Sequence, residues 1–367
     1  MNYRRIVVKV GTNSVCGKDG YPSLEKISLL GGQVKELINH KVEVVLVSSG
    51  AVGAGARYFL NGEKPASLEQ KQACASIGQP VLMSIYKDYY NSGGILVGQI
   101  LLTGDVITNR ERFLNARNTF QELLKKSVLP IVNENDTTSV EEIKFGDNDN
   151  LAVNVAGIID ADACFIMTDV DGLYQNYGKE NQELLKTVDK IDESVEKLIV
   201  NEKSRFSTGG MFSKINAAKK SLALGIPLVI LPAHSENSLR DYVLKKRISG
   251  TTFQTGKSKV KAKKKWIFLH FRETGKIQID EGAKEALLKG KSLLSVGIKE
   301  IASPFERGSV VGLYYQEEKI GKGIINYSSA DILKIKGLSS DKIESVLGYT
   351  NGSEMIHRNN FIATAVF

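Results

Sequence analysis

Two lysines stand where their ammonium groups could meet a phosphoryl group. Lys9 lies in Val8-Lys9-Val10-Gly11-Thr12-Asn13, and Lys214 closes Thr208-Gly209-Gly210-Met211-Phe212-Ser213-Lys214, about two hundred residues later. Glycine turns let backbone N–H groups approach an anion, and a helix N-terminus adds a favourable partial charge. A lysine beside each turn supplies a full positive charge. The chemistry this suits is holding a phosphoryl group in flight, which needs positioning and charge neutralisation more than covalent help. The Gly209-Gly210 pair precedes helical spacing that puts Lys214 on the first turns. An ordinary exposed lysine after a surface loop is the plainer reading of that segment alone.

Other segments carry polar groups of the same kind. Ser48-Ser49-Gly50-Ala51-Val52-Gly53-Ala54-Gly55 follows an apolar run and precedes a helical one. It suits either anion binding by backbone N–H groups or a tight strand-to-helix turn. It is neither a P-loop nor a GxGxxG, so Walker-type and dinucleotide sites are not supported. Asn133-Glu134-Asn135-Asp136-Thr137 and Gly146-Asp147-Asn148-Asp149-Asn150 are dense in amides and carboxylates. Such clusters are common turns. They also offer acceptors for a ligand ammonium group, or oxygen ligands for magnesium. Thr168-Asp169, followed by Val170-Asp171-Gly172, ends an apolar run and could touch a nucleotide.

The elements that must position these residues can be read from periodicity. Ile6–Val10, Val42–Val47, Ile95–Leu102, Leu129–Val132 and Ala163–Met167 read as strands apolar throughout. Ile27–Asn39 and Leu151–Ile159 have helical spacing. Alternation of this kind predicts an α/β three-layer sandwich with a mostly parallel central sheet. Ligands bind such sheets outside the carboxyl ends of the strands. The polar clusters all fall at those ends, which points to one shared site. From Gly275 the pattern changes to short runs at Lys276–Ile279, Leu293–Val296, Val310–Tyr315 and Lys319–Ile325, with a short helix at Ala283–Leu288. This predicts a small C-terminal β-rich domain. The expected division is 1–255, a basic linker at 256–274, and 275–367.

Composition narrows the class. The chain has 367 residues, 42% hydrophobic and 25% charged, in keeping with two globular domains. No apolar run approaches a membrane span. The N-terminus lacks a signal-peptide core, so a cytoplasmic protein is expected. Cys16, Cys74 and Cys164 are scattered and the four histidines dispersed, which argues against a disulfide frame or a zinc site. The net charge of +8 is local. Residues 1–239 carry −2, residues 240–273 carry +9 and residues 274–367 carry +1. The basic segment reads as a solvated connector, or alternatively as a footprint for a polyanion.

Taken in order, these segments resemble the amino acid kinase family. The resemblance rests on Val8–Thr12, Ser48–Ala51, Arg112-Phe113-Leu114-Asn115-Ala116-Arg117, Ile131–Asp136, Gly146–Leu151, Thr168-Asp169 with Gly172-Leu173-Tyr174, and Thr208–Met211. It continues through Lys265-Trp266-Ile267-Phe268 and Asp280-Glu281-Gly282-Ala283 into a tail that looks like a PUA domain. Three positions depart from the family pattern: Phe212 and Ser213, where a small residue and Thr are expected, and Ser48, where Thr is usual. The resemblance implies transfer of the ATP γ-phosphoryl group to the side-chain carboxylate of L-glutamate, with Mg²⁺ bridging the ATP phosphates and no metal ligand assigned in the protein.

It further implies roles for single residues. Lys9 and Lys214 would flank the phosphoryl group, and Asp147 would hold both. Ser49, Gly50, Asp136 and Asn148 would bind glutamate, with Asp149 assisting. Gly11, Thr168, Asp169 and the loop Thr208, Gly209, Gly210, Met211, Phe212, Ser213 and Lys214 would join Lys9 on ATP. Feedback inhibition by proline and a homo-oligomer (dimer or tetramer) are also implied. RNA binding by the PUA-like tail is implied too, although a tail charge of +1 gives it little electrostatic support. A catalytically silent amino-acid sensor is the remaining rival; retention of both lysines and Asp147 speaks against it.

Overall fold

The computed structural model describes residues 3–138, 148–200, 210–247, 249–254 and 272–363. The chain divides into two compact units, Met1–Val106 with Glu111–Lys263, and Ile107–Arg110 with Lys264–Phe367. No helix among the described residues is long and apolar enough to cross a membrane.

In the first unit the strands are β1 (Arg5–Val10), β2 (Glu43–Ser48), β3 (Val97–Leu102), β4 (Leu129–Glu134), β5 (Ala163–Thr168), β6 (Tyr174–Gln175), β7 (Glu183–Leu184), β8 (Thr187–Val188), β9 (Leu228–Pro232) and β10 (Thr251–Phe253). The helices are α1 (Thr12–Val15), α2 (Leu24–Asn39), α3 (Ala51–Phe59), α4 (Leu68–Asn91), α5 (Arg110–Lys125), α6 (Asn148–Ile159), α7 (Glu193–Val200), α8 (Gly210–Ala223) and α9 (Ser238–Lys245). An eight-stranded sheet runs β3-β4-β2-β1-β5-β9-β10-β8, and β6 pairs with β7 apart from it. The ladders from β3 to β9 are parallel, and β10 is antiparallel to β9.

Covering both faces of a parallel sheet demands strands apolar on both sides, and β1, β5 and β9 are almost wholly buried. Ile6, Val8 and Val10 join one core with Ile27, Leu30, Val34 and Leu37 of α2, Leu82, Tyr86 and Tyr90 of α4, and Leu239 and Tyr242 of α9. Each such aliphatic side chain contributes about 1.5–3 kcal/mol of burial. The alternate residues of β1 face the other layer, where α6 packs on β1 and α8 on α6. Apart from Asn148 and Asn150, the residues of α6 are buried, as expected for a helix apolar around its circumference. Serine caps start two helices: Ser23 accepts from Lys26 N at 3.4 Å and Ser67 from Gln70 N at 3.2 Å, each worth about 1 kcal/mol.

From β1 the chain passes to β2, then to the edge strand β3 and back to β4 between β3 and β2, whereas β5 and β9 lie on the other side of β1. The order therefore reverses at β1, and the crevice at its carboxyl end is the switch point where such folds bind ligands.

The second unit holds a sheet of order β12-β11-β13-β14-β15, formed by β11 (Gly275–Ile279), β12 (Ile298–Ile301), β13 (Val310–Tyr315), β14 (Glu318–Ile324) and β15 (Phe361–Ala363). Its core includes Ile277, Val311, Leu313, Tyr327, Ile332, Ile335 and Ile356. Asp280 caps the helix Glu281–Leu288 by accepting from Ala283 N at 2.7 Å. The expected strand at Leu293–Val296 is not formed. Leu293 makes an isolated bridge to Ile356, and Ser295–Gly297 is one turn of 3-10 helix. An apolar run of that length is equally served by a buried turn.

Candidate active site

Strand alternation aims Lys9, the penultimate residue of β1, away from Val8 and Val10 and toward α6 and α8. Its Nζ lies 2.6 Å from Asp149 Oδ1, and Lys214 Nζ lies 3.2 Å from Asp149 Oδ2. Asp149 sits in the first turn of α6 and Lys214 in the second turn of α8, so three elements converge on one carboxylate. Lys9 and Lys214 are each 7% exposed and Asp149 is 3% exposed. Ser213 Oγ donates to Asp149 Oδ2 at 3.3 Å, and Lys214 Nζ also donates to Gly210 O at 3.2 Å. A Cβ placed on Gly11 would stand 3.5 Å from Lys9 Nζ, so the chain turns away beside that ammonium.

Burial alone would raise the Asp149 carboxyl; the ammonium groups of Lys9 and then Lys214 outweigh it and hold the group below the usual carboxylate range. Two buried cations share one anion, so the trio keeps one unit of positive charge. Uncompensated positive charge in a poorly hydrated crevice is favourable for an incoming anion.

Beside this trio a cavity of about 600 Å³ is lined by Ser49, Gly50, Asn133, Asp136 and Asn148, among others. Asn148 organises it. Its Nδ2 donates to Ser49 Oγ at 2.7 Å, to Ser48 O at 3.1 Å and to Asn133 Oδ1 at 3.1 Å. Asn133 Nδ2 donates to Gln79 Oε1 of α4 at 2.9 Å. Ser48 Oγ is 2.8 Å from the buried Tyr86 hydroxyl and donates to Ser49 O at 3.0 Å. The ends of β2 and β4 and the start of α6 are thus tied together. Gly50 caps α3 at φ +111°, a conformation that suits glycine. The close crossing of α3 and α4 needs Gly55 and Gly78, where a Cβ would meet Cys74 O at 1.8 Å and Ala51 O at 1.9 Å.

At the carboxyl end of β5, Thr168 Oγ1 donates to Asp169 Oδ1 at 3.0 Å, and Asn13 Nδ2 reaches Asp169 Oδ2 at 3.5 Å. Burial pushes this carboxyl up, but the Thr168 hydroxyl and further donors win and hold it low.

The structure thus gathers Lys9, Gly11, Asp149, Gly210, Ser213 and Lys214 at one point and Ser49, Gly50, Asp136 and Asn148 around the adjoining cavity. Thr168 and Asp169 stand at the neighbouring strand end. Met211 is half-buried, whereas Phe212 is exposed. Asp147, Thr208 and Gly209 lie outside the described residues. Among the described residues, the carboxylate that meets both lysines is that of Asp149. The reason is that α6 begins at Asn148 rather than Leu151, which sets Asp149 on its first turn against β1. Asn13, Gln79 and Tyr86 were not foreseen. Gln79 and Tyr86 lie on α4, whose Gly78 and Pro80 interrupt the apolar spacing, so the sequence gives no sign of them.

The description "Amino acid kinase family" matches residues 4–232, and "PUA domain" matches residues 275–347. Glutamate 5-kinase of Dictyoglomus turgidum is 43% identical over 367 residues, covering 99% of this chain and 98% of its own. Glutamate 5-kinase of Carboxydothermus hydrogenoformans is 42% identical over 370 residues, covering 98% of each chain. Among solved structures, carbamate kinase from Giardia lamblia bound to AMP-PNP superposes with a TM-score of 0.51 at 16% identity. The match covers 69% of this chain and 99% of that one. At that identity the likeness bears on the fold of the first unit alone.

Proposed function

This chain belongs to the amino acid kinase family, among the glutamate 5-kinases, and from that premise we propose that it phosphorylates the side-chain carboxylate of L-glutamate with ATP. The product is L-glutamyl 5-phosphate, and the step opens proline synthesis. A γ-carboxylate oxygen attacks the γ-phosphorus, the bond from that phosphorus to the β,γ-bridging oxygen breaks, and ADP departs. No general base is needed, because a carboxylate of ordinary pKa, about 4.3, is ionised at neutral pH.

The observation that carries this reading is the buried Lys9–Asp149–Lys214 trio beside the Asn148 cavity. Lys9 takes the accepting carboxylate. Lys214 takes the nucleotide phosphates, and Asp149 fixes both ammonium groups. Their shared positive charge favours the negative charge spread over the transferring oxygens. Ser49 and Asn148 orient glutamate, and Asp136 meets its ammonium group. Backbone N–H groups at Gly11 and Gly50 face anionic oxygens. Thr168, Asp169 and the segment around Gly210–Lys214 hold ATP.

Asp149 is engaged by two ammonium groups and Asp169 by Thr168 and Asn13. The described residues include no cluster of three metal-ligating side chains. These residues fit a Mg²⁺ held chiefly by phosphate oxygens and water. Bound there, the ion would neutralise phosphate charge. Proline as a feedback inhibitor at the glutamate cavity, and a dimer or tetramer formed through the kinase unit, belong to the same proposal.

The test is glutamate-dependent ADP release coupled to hydroxylamine trapping. The expected result is one γ-glutamyl hydroxamate per ADP. ADP release independent of glutamate, or without hydroxamate, would contradict the proposal.

A further inference from the structure

A free amino acid brings three charged groups to this cavity, and the residues above account for two. Asp136 faces the ammonium group and Lys9 the reacting carboxylate. The α-carboxylate still needs a cation, and in the kinase reading Lys9 and Lys214, both paired with Asp149, already serve the reacting carboxylate and the nucleotide phosphates. Among the described residues, the lysines on the cavity wall are Lys18 and Lys64.

Lys18 is held there by a built element. Residues 16–22 form a short flap: Cys16 and Pro22 pair as an antiparallel bridge, Gly17 N donates to Tyr21 O at 2.8 Å, and Gly20 N donates to Gly17 O at 3.1 Å. Lys26 Nζ ties its base by donating to Cys16 O and Asn13 O, both at 2.7 Å. The tip is clamped onto α3. Asp19 pairs with Arg57 at 2.7 Å, Arg57 lies over the Tyr21 ring at 4.7 Å, and the Tyr21 and Tyr58 hydroxyls are 3.2 Å apart. Gly20 rests against Gly53 so closely that a Cβ on Gly53 would meet Gly20 O at 2.4 Å. Within this clamped flap Lys18 has no anionic partner among the described residues, while its neighbour Asp19 is spent on the clamp. The Lys18 ammonium is therefore left for an anion entering the cavity.

We propose that Lys18 is a specificity-determining residue that binds the α-carboxylate of the amino-acid substrate. This rests on the kinase reading above and adds a subsite to it. A site built to pair with a charged group discriminates against an analogue lacking that group. 4-Aminobutyrate is such an analogue, since it keeps the reacting carboxylate and the ammonium group and lacks the α-carboxylate.

The experiment compares wild type with Lys18→Met, Lys18→Arg and Lys64→Met. It measures KM for glutamate, KM for ATP, and the inhibition constant of 4-aminobutyrate against glutamate. Loss of one charge-assisted contact in a partly hydrated site predicts a rise in glutamate KM of about tenfold in Lys18→Met. KM for ATP and the 4-aminobutyrate constant should stay unchanged, and Lys18→Arg should stay near wild type. Equal weakening of glutamate and 4-aminobutyrate would mark a merely structural role and overturn the inference. So would an unchanged glutamate KM, or the tenfold loss appearing in Lys64→Met instead. In each of those cases the kinase reading survives. Wild-type protein that forms no ADP with glutamate would overturn both together.

Discussion

Among the described residues two carboxylates are each clasped by two lysines, one in each unit. In the first unit Asp149 lies between Lys9 and Lys214. In the second, Glu273 pairs with Lys319, lies 3.7 Å from Lys322 and accepts from Tyr314 at 3.2 Å. The trios have the same charge and different surroundings. Lys319 and Lys322 come from one strand, beside a carboxylate just before β11, and Lys319 keeps 33% of its side chain exposed against 9% for Lys9. Lys9 and Lys214 come from elements far apart in sequence, at the carboxyl ends of parallel strands and beside a cavity. An ion trio is therefore no site in itself. Its place at the switch point, its burial and the neighbouring cavity set the first trio apart as a candidate site, whereas the second lies along one strand of a sheet.

Substitutions can break this contrast. The largest effect is expected from Lys214→Ala and Lys9→Ala, each lowering kcat by about 10³-fold, the scale of losing a preorganised electrostatic stabiliser. Lys319→Ala should leave kcat unchanged in the same steady-state assay. Asp149→Asn comes next. It leaves two buried ammonium groups facing each other and should cost about 3–5 kcal/mol in denaturant unfolding. The pH dependence follows in sign. The folded Asp149 carboxyl is held below its ordinary value, so its contribution is full above about pH 4 and is lost as pH falls through the folded value. The stability gap between wild type and Asp149→Asn should thus shrink on acidification below pH 4, as urea melts across pH would show.

Asp136→Ala should raise the glutamate KM by about 10–100-fold and leave the ATP KM unchanged. Equal effects on both constants would remove its assignment to the ammonium group. The smallest effect is expected from Glu273→Gln. The trio there is partly solvated, so the loss should be about 1 kcal/mol or less in thermal unfolding, with activity intact.

Much of this contrast is legible in the residues. Apolar runs ending in polar clusters locate the parallel sheet and the strand ends, and glycine turns single out Lys9 and Lys214. Two things are not legible. Which carboxylate of Gly146-Asp147-Asn148-Asp149-Asn150 meets the lysines depends on where α6 starts. Asn148, placed as its first residue, is set by hydrogen bonds to β2 and β4 that no local pattern announces. The α4 contacts of Gln79 and Tyr86 are equally remote in sequence. They depend on the backbone-to-backbone crossing at Gly55 and Gly78, a tertiary fact that overrides the broken helical spacing.

In the proposed mechanism Lys9 and Lys214 act as one unit on one phosphoryl group, coupled through Asp149. The most direct test is a double-mutant cycle on kcat, comparing Lys9→Ala, Lys214→Ala and the double variant, with folding checked by thermal melts. Residues that act as a unit are strongly non-additive. The double variant is expected to be no slower than the slower single one. A loss in the double variant equal to the product of the two single losses would contradict it.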